Sequence, residues 1–175
     1  MKFSKNIIFK NFKKKIISSS IKNKFESIIK DKSEVINSLK QNYNYSYSTK
    51  RLKDFKKKNF TSIKIIGMGG SILGIKAIYN FLSRKVKKKI YFFDNLIPFT
   101  KDKKNLKKIL NIVISKSGNT LETISNVNLL IKKDHNNIFI IEKNQSYLRQ
   151  LANKMKAEII DHNNFIGGRY SVLSE

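Results

Sequence analysis

Between Ile63 and Gly74 the chain passes from a β-branched apolar run into a turn rich in glycine and then into a helix-forming segment, and few folds accommodate that passage. Ile63, Ile65 and Ile66 read as a buried strand. Gly67, Gly69 and Gly70 carry no Cβ, so backbone N–H groups of the turn can close on an anion. Ser71 is placed to cap a helix that continues through Leu73, Ala77, Ile78 and Leu82. Orphan amides and the helix dipole favour negative charge at such an N-terminus, so the stretch predicts a phosphate cradle. The layout recurs as Ile112-Val113-Ile114 followed by Ser115-Lys116-Ser117-Gly118-Asn119-Thr120.

The remaining periodicities supply the frame for these two loops. Ile90 to Phe93 read as a second strand ending at Asp94; Pro98 breaks the loop after it, and Asp102 opens a brief helix through Leu106, Ile109 and Leu110. The third strand is expected over 111–114, then a helix with Leu121, Ile124 and Val127 on one face. A fourth strand over 138–141, a helix marked by Tyr147, Leu148, Leu151 and Met155, and a fifth strand at 158–160 complete the alternation. That rhythm implies a five-stranded parallel α/β sheet covered by helices on both faces, with right-handed crossovers. For strand order 2-1-3-4-5 the switch point lies between strands one and three, which are the strands the two loops follow. Both loops should then face one ligand. Upstream, Ile21, Phe25, Ile28, Ile29, Val35, Ile36 and Leu39 suit one or two amphipathic helices. Asn42 to Ser48 reads as a linker, and 51–58 as a short basic helical turn feeding the first strand. Residues 1–50 are thus a helical lead-in and 51–166 the sheet domain.

Two common phosphate motifs fail here. A dinucleotide fingerprint lacks its last glycine, because Gly67-Met68-Gly69-Gly70-Ser71 runs into Ile72, although Asp94 sits where a ribose-binding acid would. A Walker loop fails because Gly69 is followed by Gly74-Ile75-Lys76 instead of Gly-Lys-Ser/Thr. The second loop instead suits a small phosphate monoester. Ser115, Ser117 and Thr120 bring three hydroxyls into one turn, and phosphate oxygens accept many short hydrogen bonds. Taken alone, Ser117 to Thr120 could equally be a turn with an N-cap.

The 175 residues carry a net charge of +25, which raises the question of nucleic acid. The lysines are spread along the whole chain and arginines are few, so no specific nucleic-acid partner is expected. With no cysteine, thiol catalysis and thiolate metal sites are excluded, and His135 and His162 lack ligand-spaced neighbours, so no metal is expected. No apolar stretch reaches bilayer-spanning length, and no membrane partner is expected. The first 24 residues faintly resemble a mitochondrial presequence but lack arginine, so a cytoplasmic location is the expectation.

Three segments in order, 66–74, 113–123 and 167–174, resemble successive signatures of the glucose-6-phosphate isomerase (phosphoglucose isomerase) family. The third, Gly167-Gly168-Arg169-Tyr170-Ser171, is the most specific. The resemblance implies a SIS (sugar isomerase) domain of flavodoxin-like topology and interconversion of glucose 6-phosphate and fructose 6-phosphate, without cofactor or metal. By position it implies substrate binding by Gly70 and Ser71, and phosphate binding by Ser115, Lys116, Ser117, Gly118, Asn119 and Thr120. Arg169 would stabilise an enediolate, and Glu122 would be structural. In the family the general base and the ring-opening pair, a glutamate, a histidine and a lysine, follow the Gly-Gly-Arg signature. Glu142, Glu158, His135 and His162 precede it and match no family motif. The chain, ending at Glu175 with 167–175 as the start of the following portion, is therefore expected to resemble an N-terminal fragment, inactive alone, of an enzyme that forms homodimers. The alternative is a non-catalytic SIS module that binds a sugar phosphate.

Overall fold

The computed structural model describes residues 18–97 and 108–173, apart from the side chains of Arg169 and Leu173. Five strands form one parallel sheet: β1 (Ser62–Gly67), β2 (Lys89–Phe93), β3 (Ile109–Ile114), β4 (Asn136–Glu142) and β5 (Glu158–His162). Their order is β2-β1-β3-β4-β5, the flavodoxin-like order that the family resemblance implies and for which the switch point falls between β1 and β3. The helices are α1 (Ser19–Lys30), α2 (Glu34–Ser38), α3 (Thr49–Lys57), α4 (Gly70–Leu82), α5 (Leu121–Leu130) and α6 (Tyr147–Met155), and a 3-10 segment spans Gly168–Leu173.

The period-two alternation of the strands sorts the core into two layers. Ile66, Val113, Phe139 and Ile141 pack with Val127 of α5 and with Leu148 and Ala152 of α6. Leu110 and Ile138 form a second cluster with Phe60, backed by Phe55 of α3 and by Ile63, Ile112, Ile140 and Ile160. Winding reverses at β1, so the right-handed crossover through α4 lies opposite α5 and α6. Register then decides what the strand ends do. Gly67 pairs with Ile114, so β1 and β3 finish level and release their loops side by side.

Three expectations are corrected. Ile109 and Leu110 are not the end of a helix; both are buried and open β3, pairing with Ser62 and Ile63. The start of the helix expected from Asp102, and Pro98, lie outside the described residues, as does the stretch 1–17. Asn42 to Ser48 is not a mere linker. Tyr43, Tyr45 and Tyr47 pack ring against ring, and the Ser46 hydroxyl donates to the Asp161 carbonyl in β5. Asn163 ties this strap down by donating to the Tyr43 hydroxyl (3.2 Å) and to Glu34 Oε2 (3.0 Å). The third concerns Ser71, treated below. Upstream, α1 is amphipathic as expected, but none of its residues is buried. Among the described residues no helix is long and apolar enough to cross a membrane.

Candidate functional site

The loop after β1 makes its turn at Gly69, whose φ of +55° is disfavoured for any residue with a Cβ. Gly69 occupies the N-cap position of α4, and Ser71 sits one residue inside the helix, not at its cap as its place before the apolar run suggests. A glycine at the left-handed turn starts the helix earlier than the hydroxyl would have. Ser71 N–H donates to Met68 O (3.2 Å), and its side chain is left at the rim of a cleft.

The loop after β3 is braced from within. Ser115 is buried, its Oγ accepts from Gly118 N–H (3.2 Å), and it lies 3.2 Å from Thr120 Oγ1. Ser117 Oγ accepts from Asn119 N–H (3.2 Å). Asn119 Oδ1 accepts from Tyr147 N–H (2.9 Å), so this side chain satisfies an orphan donor at the start of α6. Gly118 O accepts from Leu148 N–H (3.0 Å) in the same turn of α6. Gly118 has φ +66°, and a Cβ there would stand 2.1 Å from Ser146 Oγ. Sequence reasoning missed that α6 holds this loop; the one available signal is the Asn-Gln-Ser run before Tyr147, a helix cap without a visible partner.

The Gly-Gly-Arg turn closes the third side. A Cβ on Gly70 would lie 2.2 Å from Gly168 O, and one on Gly74 would lie 2.3 Å from Val172 Cγ1. Two backbones therefore touch where the first and third signatures meet. Ser171 Oγ donates to Gly168 O (2.8 Å) and steadies the turn. The backbone of Arg169 lies in this segment, while its side chain is outside the described residues.

Together these loops enclose a cleft of about 440 Å³ at the carboxyl ends of β1 and β3, within the range for small-molecule sites. Gly70, Ser71, Lys116, Ser117 and Thr120 line it with Gly168, Ser171 and Glu142. Ser71 and Thr120 thus share one pocket. Ser115, Gly118 and Asn119 do not line it and shape the loop behind it. Lys116 Nζ sits 3.2 Å from Glu142 Oε1, a pairing that nothing in the sequence announces. His162, buried behind the cleft, has Nε2 2.8 Å from Ile166 O. Asp94, the acid weighed for a ribose, is ion-paired with Lys76. Among the described residues no cluster of three or more His, Cys, Asp or Glu could hold a metal ion.

Comparison with known proteins adds lineage to this geometry. The family model described as phosphoglucose isomerase matches residues 7–175. Glucose-6-phosphate isomerase of Borrelia garinii subsp. bavariensis is 36% identical over 140 residues, covering 70% of this chain and 26% of that protein. A probable glucose-6-phosphate isomerase of Methanococcus maripaludis is 39% identical over 132 residues, covering 67% of this chain and 30% of that protein. The chain therefore spans between a quarter and a third of the length of these relatives. Among solved structures, a hypothetical protein of Thermus thermophilus superposes with a TM-score of 0.62 at 21% identity, over 87% of this chain and 41% of the other. A tagatose-6-phosphate ketose/aldose isomerase of Escherichia coli superposes with a TM-score of 0.51 at 22% identity, over 65% and 33% respectively. These two likenesses establish the fold.

Proposed function

The chain belongs to the phosphoglucose isomerase family, and from that premise we propose that its cleft binds the 6-phosphate of glucose 6-phosphate or fructose 6-phosphate for their interconversion. The observation that carries this reading is the convergence of Ser71, Ser117, Thr120 and the Gly168 turn on one cleft at the switch point of the sheet. Hydroxyls of Ser71, Ser117 and Thr120, with amides at the start of α4 from Gly70, would hold the phosphoryl oxygens. Ser115, Gly118 and Asn119 would serve by fixing the loop. These groups bind the same phosphate in ground and transition states, so they set affinity more than rate. Arg169, on the turn packed against Gly70, is assigned the family's role of stabilising an enediolate.

Moving a proton between the two sugar carbons requires a base. Among the described residues, Glu142 lines the cleft and His162 lies buried behind it, and both are engaged in the protein's own contacts. We therefore assign substrate binding to this 175-residue chain and no turnover by the chain alone. We further place the enzyme of which this site is part in the cytoplasm, as a homodimer. Calorimetry with 6-phosphogluconate tests the binding reading. Wild type should bind, and Ser117→Ala with Thr120→Ala should weaken binding by at least about tenfold, the equivalent of losing one or two hydrogen bonds to a charged group. A wild-type chain without affinity would overturn the phosphate assignment. A coupled assay from fructose 6-phosphate that showed turnover by the pure chain would overturn the assignment of binding alone.

A further inference from the structure

Lys116 lies in the phosphate loop and carries a positive charge, yet the structure gives that charge another use. Its Nζ pairs with Glu142 Oε1 at 3.2 Å, and Glu142 is the more enclosed partner, with its side chain 16% exposed against 39% for the lysine. The other carboxylate oxygen accepts from Asn144 Nδ2 at 3.3 Å. Backbone bonds fix both residues: Glu142 N–H donates to Lys116 O (3.0 Å), and Arg149 donates twice to Glu142 O (3.2 and 2.9 Å). The lysine stem meanwhile crosses Gly167, where a Cβ would lie 2.8 Å from Nζ and 3.2 Å from Cδ.

Glu142 lines the same cleft as Ser117 and Thr120. A carboxylate there repels an incoming phosphate unless a cation cancels it, and a largely enclosed carboxylate left unpaired is costly. For Lys116 to swing onto the phosphate it would have to abandon Glu142 at the moment a second negative group arrived. It would also have to leave the space over Gly167.

Building on the sugar-phosphate reading above, we propose that Glu142 is a positioning residue. It holds Lys116 across Gly167, so that the lysine neutralises the carboxylate and braces the turn before Arg169 instead of contacting the phosphate. The phosphoryl group is then recognised by neutral amides and hydroxyls in a cleft whose own charges cancel.

A double-mutant cycle decides the matter, read as affinity for 6-phosphogluconate at two salt concentrations, with thermal unfolding of each variant as a control. Lys116→Met should weaken binding by about tenfold, because it exposes the phosphate to an unpaired Glu142. Glu142→Gln should bind about threefold more tightly and with a steeper salt dependence, because it frees the lysine. The double variant should return to within about threefold of wild type. A merely structural role would not produce tighter binding in Glu142→Gln or recovery in the double variant. If the double variant stays as weak as Lys116→Met, or Glu142→Gln binds more weakly than wild type, the proposal is overturned while the phosphate site stands. If wild type itself does not bind, the sugar-phosphate reading falls and this proposal with it. Should Lys116→Met fail to fold, the Glu142→Gln affinity and its salt slope decide alone.

Discussion

Gly70→Ala sets two effects of opposite sign against each other. Gly70 is the first residue of α4, and alanine is the better helix former by up to about 1 kcal/mol, so propensity alone predicts a more stable protein. The new methyl, however, would stand 2.2 Å from Gly168 O, 2.6 Å from its carbonyl carbon and 3.2 Å from its Cα. All three atoms are backbone, so no side chain can rotate away. Restoring van der Waals separation requires α4 and the Gly-Gly-Arg turn to part by close to 1 Å, and overpacking of this kind costs about 1–3 kcal/mol. The clash should win, leaving a net loss of up to roughly 2 kcal/mol. A displacement of that size also moves Ser71 relative to Gly168 across the cleft and should weaken binding by about tenfold, the equivalent of one hydrogen bond to a charged group. Urea unfolding measures the first effect and calorimetric titration with 6-phosphogluconate the second. A Gly70→Ala protein at least as stable as wild type, with unchanged affinity, would refute the claim that the first and third signatures meet backbone to backbone.

Gly118→Ala should be worse, since it combines a φ of +66° with a methyl 2.1 Å from Ser146 Oγ. Adding Ser146→Gly should relieve the clash and leave only the left-handed penalty, about 1–2 kcal/mol by urea unfolding. Phe139→Ala, at a fully buried position between the sheet and α5 and α6, should cost about 3–5 kcal/mol in the same measurement, with native-like affinity in whatever fraction stays folded.

What could be read from residues alone follows from periodicity. Ile63 to Ile66 and Ile112 to Ile114 carry apolar residues on both sides of the pleat, which a doubly covered strand requires. Counting such runs between helices gave five parallel strands, while their order rested on the flavodoxin-like topology that the resemblance implied. The pattern failed where two readings share one spacing. Leu106, Ile109 and Leu110 satisfy a helical period, yet Ile109 and Leu110 are buried in β3 because Ser62 and Ile63 lie opposite them, a partnership invisible in one strand's sequence. Ser71 failed differently. A serine before an apolar run suggests a cap, but a glycine in the left-handed region two residues earlier had already turned the chain. Asn42 to Ser48 is polar enough to pass for a linker; its tyrosines find one another and its Ser46 finds β5 only in the folded chain. At the candidate site, residue types pointed to the phosphate loops, whereas the division between groups lining the cleft and groups behind it depended on Ser146, Glu142 and Tyr147, which lie beyond the loop itself.

The glycines connect these observations. Gly70 faces Gly168, Gly74 faces Val172, Gly118 faces Ser146 and Gly167 faces Lys116. In each pair the missing side chain of one loop is the space taken by another loop or by the 3-10 segment, so the three signatures are complementary surfaces. Gly70 and Gly74 admit the third signature to α4, and Gly167 admits the lysine of the second to the third. A site built by such mutual contact needs level strand ends more than it needs charge. Gly67 and Ile114 supply that level, and a lysine committed to Glu142 spares the cleft an excess of charge. Among the described residues that line the cleft Lys116 is the one cation, and it is paired with Glu142. The other donors between Ser71 and Thr120 are neutral hydroxyls and amides, so little of the protein's +25 lies at the proposed phosphate site.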